Sequence, residues 1–238
     1  MLSSLHMKST LILLASITLT GFSDASIIIT GVFDGPLPGG DPKGVELYVV
    51  TTTDLSQYAI GTANNGLGSD GPESGSLAPS PTTVTAGSFL YLTNGDGADF
   101  TQWFGFAPTI TSVSGSALNH NGDDAIELFF DASAAFVGAE TVVDTFGDIN
   151  TDGTGTAWDN VDGWAYRNNG VDANGGSFDA NNWSFSGANA WDGDDLPDDS
   201  GTNALSSVSF PTGTFAIPEP NSALLGALSL LLLIRRQR

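Results

Sequence analysis

Apolar and polar positions alternate in short runs along the middle of the chain, with turn residues between them. Ser26 to Asp34 opens on the β-branched run Ile27-Ile28-Ile29-Thr30 and stops at Gly35-Pro36. Val45-Glu46-Leu47-Tyr48-Val49-Val50 alternates as a half-buried strand does. Thr83 to Thr93, Ala125 to Asp131, Thr141 to Phe146, Trp164 to Arg167, Trp183 to Ser186 and Ser207 to Phe215 read as further strands. Asn64-Asn65-Gly66, Asn94-Gly95-Asp96-Gly97, Asn121-Gly122, Asn168-Asn169-Gly170 and Asp192-Gly193 separate them. Gly, Asn and Asp tolerate positive φ, so these clusters turn the chain. No helical period exceeds two turns, and Leu118 to Glu127 is broken by Asn121-Gly122. The pattern predicts one all-β domain over residues 26–216, an antiparallel sandwich or barrel, with polar Asp198 to Asn203 as a boundary before the last strand.

The two ends follow other rules. Lys8 precedes the uncharged run Leu11 to Leu19, and the small residues Ser23 and Ala25 follow it. A basic start, a short apolar helix and a small-x-small site predict a secretory signal peptide over residues 1–25. At the other end, residues 217–238 hold Pro218-Glu219-Pro220, then twelve uncharged residues from Ala223 to Ile234, then Arg235, Arg236 and Arg238. Twelve helical residues span about 18 Å, short of the roughly 30 Å hydrocarbon core, so this apolar helix is a marginal permanent anchor. The Arg cluster would stay on the cytoplasmic side while the preceding chain lies outside.

That tail resembles the PEP-CTERM sorting signal of Gram-negative bacteria, with Ile217 and Asn221-Ser222 departing mildly from the usual neighbours of the triplet. The resemblance implies recognition of Pro218, Glu219, Pro220, Arg235 and Arg236 by an exosortase, a membrane-embedded processing enzyme. It further implies transient anchoring in the inner membrane, removal of the tail, and release or attachment at the cell surface.

Charge narrows the possible partners. The chain has 238 residues, 27 Asp and Glu against 6 Lys and Arg, a net charge of −21 and no Cys. Between Ser26 and Ala216 only Lys43 and Arg167 stand against 25 carboxylates, the 27 less Asp24 and Glu219. Two isolated bases cannot displace counterions from a phosphate backbone, which excludes nucleic acid as a partner. Without Cys there is no disulfide, thiolate metal site or cysteine nucleophile. An aromatic content of 10% separates the chain from acidic disordered tails.

The order of the strands in the middle resembles the lamin-tail domain found in bacterial secreted nucleases. The matching pieces include Ile27 to Val32, Lys43 to Tyr48, Asp54 to Tyr58, Ala86 to Leu92, Asn121 to Leu128, Val142 to Gly147, Trp164 to Arg167 and Asn182-Trp183. The resemblance implies an immunoglobulin-like β-sandwich serving as a binding or scaffolding module. The chain leaves no room for the catalytic domain that accompanies such modules in nucleases.

Candidate chemistry is sparse. Asp148, Asn150, Asp152 and Thr154 alternate along a loop with Gly153 at position six and Asp159 at position twelve, the spacing of a calcium loop. The Asp at position twelve is shorter than the usual Glu, no helices flank the loop, and a hairpin rich in Asx turns fits the same residues. Asp192, Asp194, Asp195, Asp198 and Asp199 read as a solvated acidic loop. His120 is the only imidazole after residue 25 and reads as a polar loop residue. No nucleophile elbow or His-Glu-x-x-His occurs. Trp158, Trp164, Trp183 and Trp191 cluster late in the chain. They fit either core plugs or a sugar-stacking platform, with Trp158 and Trp191, each beside Asp, as the expected exposed pair. The sequence thus predicts a secreted, non-enzymatic structural or adhesive module of the cell surface or extracellular matrix. Its alternatives are a carbohydrate-binding module for exopolysaccharide and, more remotely, an extracellular hydrolase acting through paired carboxylates.

Overall fold

A computed structural model describes residues 25–217 except 79, 114–115 and 195–200. The expected signal helix, the apolar tail helix and Asp195, Asp198 and Asp199 therefore lie outside the described residues. Among the described residues, no helix is long and apolar enough to cross a membrane.

The chain forms β1 (Ile27–Asp34), β2 (Gly44–Val49), β3 (Thr53–Asp54), β4 (Tyr58–Ala63), β5 (Thr83–Val84), β6 (Phe89–Thr93), α1 (Ala98–Phe104), β7 (Ala125–Phe130), β8 (Thr141–Phe146), β9 (Gly163–Arg167) and β10 (Trp183–Phe185). A five-stranded antiparallel sheet runs β10-β9-β1-β2-β6, and a three-stranded one runs β4-β7-β8. The expectation of an all-β antiparallel fold is met. One residue of register slips in β1 between Ile29 and Gly31. The slip inverts the side-chain phase, because successive residues of a strand point to opposite faces. Ile27, Ile29 and Val32 consequently share the core between the sheets, while Ile28 and Phe33 face the other way.

The five-stranded sheet is thus buried on both faces. Its inner face meets Ile60, Ile126, Leu128 and Phe146 of the smaller sheet. Its outer face carries Ile28, Phe33, Tyr166, Tyr48 and Tyr91, covered by Phe100 and Trp103 of α1, by Trp191, and by Phe210 and Phe215 of a C-terminal strap. That strap is the main correction to the expected strand list. Ser207 to Phe215 joins no sheet: it turns at Ser207-Val208 and Thr212-Gly213, and the N–H groups of Phe210, Gly213, Thr214 and Phe215 reach side chains rather than a neighbouring strand. The expected Thr83 to Thr93 strand is interrupted between β5 and β6, where Gly87 turns the chain at φ 82°.

Loops lie along the outer edges of β4, β6 and β8. Ser74 N donates to Ile60 O and Leu77 N to Tyr58 O along β4. Thr109 N donates to Tyr91 O on β6, and Gly175 N to Val143 O on β8. Exposed edges invite pairing with other chains, and these short overlays block it.

Candidate functional site

The loop from Asp148 to Asp159 connects β8 with β9 and presents its acids as turn acceptors. Asp148 Oδ1 accepts from Asn150 N at 3.0 Å, and its Oδ2 from Thr151 Oγ1 at 2.8 Å. Asp152 Oδ1 accepts from Thr154 N at 2.9 Å, and these bonds hold its carboxyl below the usual carboxylate range. Asp159 accepts from Gly155 N and Val161 N. Thr154 Oγ1 turns away to Asp123 Oδ2. This is Asx-turn geometry, each acid serving the backbone two or more residues along. Among the described residues, no three His, Asp or Glu side chains gather closely enough to hold a metal ion. Calcium coordination by Asp148, Asn150, Asp152, Thr154 and Asp159 would require the loop to reorganise.

The expected exposed tryptophans are both buried, Trp191 at 0% and Trp158 at 5%. Trp158 packs edge-on against Phe146 between the sheets. Trp191 packs against Trp103 under α1, and its Nε1 donates to Val208 O at 3.0 Å. Neighbouring Asp residues misled the expectation, because each indole is an end plug whose flanking loop alone reaches water. Neither ring offers a face on which a sugar could stack.

A surface cleft of about 520 Å³ nevertheless opens where the Asp148 turn meets the segment before β10. Asp148 and Asn150 of the turn, Phe178 and Asp179 of the later segment, and Trp158 line it. Phe178 is half-buried and Asp179 exposed. Phe178 and Asp179 were missed in the sequence, where Ser177-Phe178-Asp179 looks like any polar loop. A smaller cleft of about 340 Å³ carries Asp41, Asp96 and Asp99. Burial, then the charges of Asp41 and Asp96, push the Asp99 carboxyl up.

The more strongly perturbed groups lie inside the fold. Glu46 is on the outer face of β2 at 0% exposure. Burial raises its carboxyl, opposed by donors from Gly213 N at 2.7 Å, Thr30 Oγ1 at 2.8 Å and Tyr166 Oη at 2.8 Å. Tyr166 Oη in turn accepts from Thr214 N and Phe215 N. Lys43, next to β2, pairs with Asp34 at the end of β1. Burial pushes Asp34 up to about 6 against the opposing pull of the Lys43 ammonium. His120 is fully buried; desolvation first and the Lys43 charge second push it down to about 3, with the Gly44 backbone opposing weakly. Alternation alone could have placed Glu46 outward on β2, but nothing local marks the strap that covers it.

No family model matches the chain, and no curated protein or solved structure matches it either. The site is therefore defined by its own geometry.

Proposed function

We propose that this is a secreted, non-enzymatic structural or adhesive protein of the cell surface or extracellular matrix. In this reading residues 26–216 form an immunoglobulin-like, lamin-tail-like sandwich, and residues 217–238 are a sorting tail taken by an exosortase. The observation that carries it is how the last described residues are held. Gly213, Thr214 and Phe215 are bound through their N–H groups to Glu46 and Tyr166, and Ala216 N to Asn169 Oδ1 at 2.9 Å. The folded body thus holds the chain to within two residues of Pro218, so a processing enzyme acting there would work on a short, fixed tether. The perturbed acids and bases supply the same reading with a second support: most tie layers together instead of lining a cleft.

Expression of the full chain in a Gram-negative host with and without its exosortase tests this. A shortened form at the surface or in the medium of the parent, and a longer membrane-retained form in the deletion strain, is the expected result. Intact full-length chain in the cytosol of both strains would overturn it.

The cleft between Asp148 and Asp179 favours a second reading, a carbohydrate-binding module for exopolysaccharide. Its volume suits one or two sugar rings, its acids and amide can accept hydroxyl protons, and Phe178 offers apolar area. Retention on polysaccharide beads that disappears with Phe178→Ala supports this reading, and no retention by the unaltered protein sinks it.

A further inference from the structure

Lys43 is one of only two bases between Ser26 and Ala216, yet its side chain is 8% exposed. Its Nζ stands 3.0 Å from Asp34 Oδ1, 3.0 Å from Asn121 Oδ1 and 2.9 Å from His120 O. Asp34 Oδ1 lies off the line of an ordinary hydrogen bond, and its Oδ2 accepts from Asp162 N at 3.2 Å. Gly40 lies over the group at φ 73°, where a Cβ would come within 3.1 Å of Nζ. An amine, a carboxamide and a buried carboxyl are therefore packed together under a backbone cover.

We propose that Lys43 and Asn121 are the two ends of an intramolecular amide cross-link that the folded chain makes itself, with Asp34 as the acid–base group. The inference goes beyond the surface-protein reading and does not depend on it. Attack proceeds from the form in which the proton has passed from the Lys43 ammonium to the Asp34 carboxyl, leaving a lone pair on Nζ. The raised Asp34 carboxyl fits that form. Holding the amine against the carboxamide makes the attack effectively unimolecular.

In the reaction Nζ attacks Asn121 Cγ, and Asp34 donates its proton to the carboxamide oxygen, now the hydroxyl of a tetrahedral centre. Asp34 then accepts a proton from Nζ and passes it to Nδ2. The Cγ–Nδ2 bond breaks, ammonia leaves, and the hydroxyl proton returns to Asp34 as the carbonyl re-forms. One C–N bond forms and one breaks, with no oxidation, no co-reactant, and Asp34 regenerated. Asn121 is exposed, so the ammonia escapes directly to water. The new bond would join positions 78 residues apart, one beside β2 and the other just before β7. It would tie the two sheets together in a chain that has no cysteine to do so.

Intact-mass spectrometry and trypsin digestion of the denatured protein test this. The only tryptic site between Lys8 and Arg167 is Lys43-Gly44, and acylation of Lys43 closes it. The expected result is a protein lighter than its sequence mass by one ammonia, uncut at Lys43, with a fragment in which residue 43 is linked to residue 121. Asn121→Ala alters an exposed side chain and should fold, keep its full mass and be cut at Lys43. Asp34→Asn, if it folds, should do the same. A wild-type protein of full sequence mass that is cut at Lys43 would overturn the proposal. So would a slightly heavier protein cut at Lys43, the product of simple deamidation at Asn121-Gly122.

Discussion

Arg167 on β9 and Asp144 on β8 meet at 2.6 Å between the two sheets, at 1% and 0% side-chain exposure. Together they replace part of the sheet ladder. β1 pairs with β9 only from Gly31 onward, which leaves the Ile29 peptide without a strand partner on that side. Arg167 Nε donates to Ile29 O at 2.6 Å, and Asp144 Oδ2 accepts from Ile29 N at 2.8 Å. The guanidinium also lies 4.6 Å from the centre of the Trp183 ring. The register slip in β1 and the buried pair are thus one device.

Arg167→Met should destabilise the fold by about 3–5 kcal/mol, because the Asp144 charge would stay buried without its partner. Arg167→Lys should recover little, since one ammonium cannot reach Ile29 O, Asp172 O and Asp144 together. Urea midpoints at neutral pH measure both.

Tyr166→Phe removes the acceptor of two strap N–H groups and one donor to Glu46. Each buried polar group left unpaired costs about 1–3 kcal/mol, less where water can enter. Hydrogen exchange should accelerate at residues 213–216 and stay unchanged in β7 and β8. Equal acceleration throughout would show that the strap is not a separate layer.

The strands β1, β2, β7, β8 and β9 are legible in the sequence because β-branched or alternating runs end at Gly, Pro or Asn. β4 is not, because Tyr58-Ala59-Ile60-Gly61-Thr62-Ala63 is buried on both faces and its small residues break the alternation. The helix α1 hides in seven residues, although Gly97 and Gly105 in left-handed conformations frame it and Phe100, Trp103 and Phe104 fall at helical spacing. The outer aromatic layer and the Lys43 cluster are illegible for another reason. They join residues far apart in the chain, Glu46 with Gly213 and Lys43 with Asn121, and no local pattern records such meetings.

Gly31→Ala tests the close fit of the strap on β1. A Cβ there would run into the Phe210 ring, which sits against Tyr166 at a centroid distance of 5.3 Å. Overpacking of this kind costs about 1–3 kcal/mol, and the strap is the element able to yield. Faster proteolysis within residues 206–217 is expected, with little change in β-sheet circular dichroism.

Addition of millimolar Ca²⁺ should leave the melting temperature unchanged, because Asp148, Asp152 and Asp159 are spent on separate turns. The double change Asp148→Ala, Asp152→Ala should lower the melting temperature slightly and equally whether Ca²⁺ or a chelator is present, since two exposed local caps are lost. A calcium-dependent difference between wild type and variant would mean that the loop does reorganise around an ion.

His120 gives the fold an acid-sensitive point. Its ring is at 0% exposure, with the Gly44 backbone as a weak partner and no hydrogen bond of ordinary geometry to either nitrogen, and burial pushes its titration down to about 3. In the unfolded chain it takes up a proton near the ordinary value of about 6.5. The unfolded state therefore binds more protons below that pH, and stability falls by about 1.4 kcal/mol per pH unit as the solution is acidified towards 3. Asp34 acts oppositely. Its folded carboxyl titrates near 6 and its unfolded one near 3.8, so protonation favours the folded state as the pH drops through that interval. The wild-type profile mixes the two slopes, and a variant separates them. His120→Leu removes two poorly satisfied buried nitrogens at similar volume, so it should fold as stably as the wild type at pH 7. Its advantage should then grow steadily from pH 6.5 to 4.5 in denaturant titrations. Parallel profiles for the two proteins would mean that the imidazole finds a partner or water in solution.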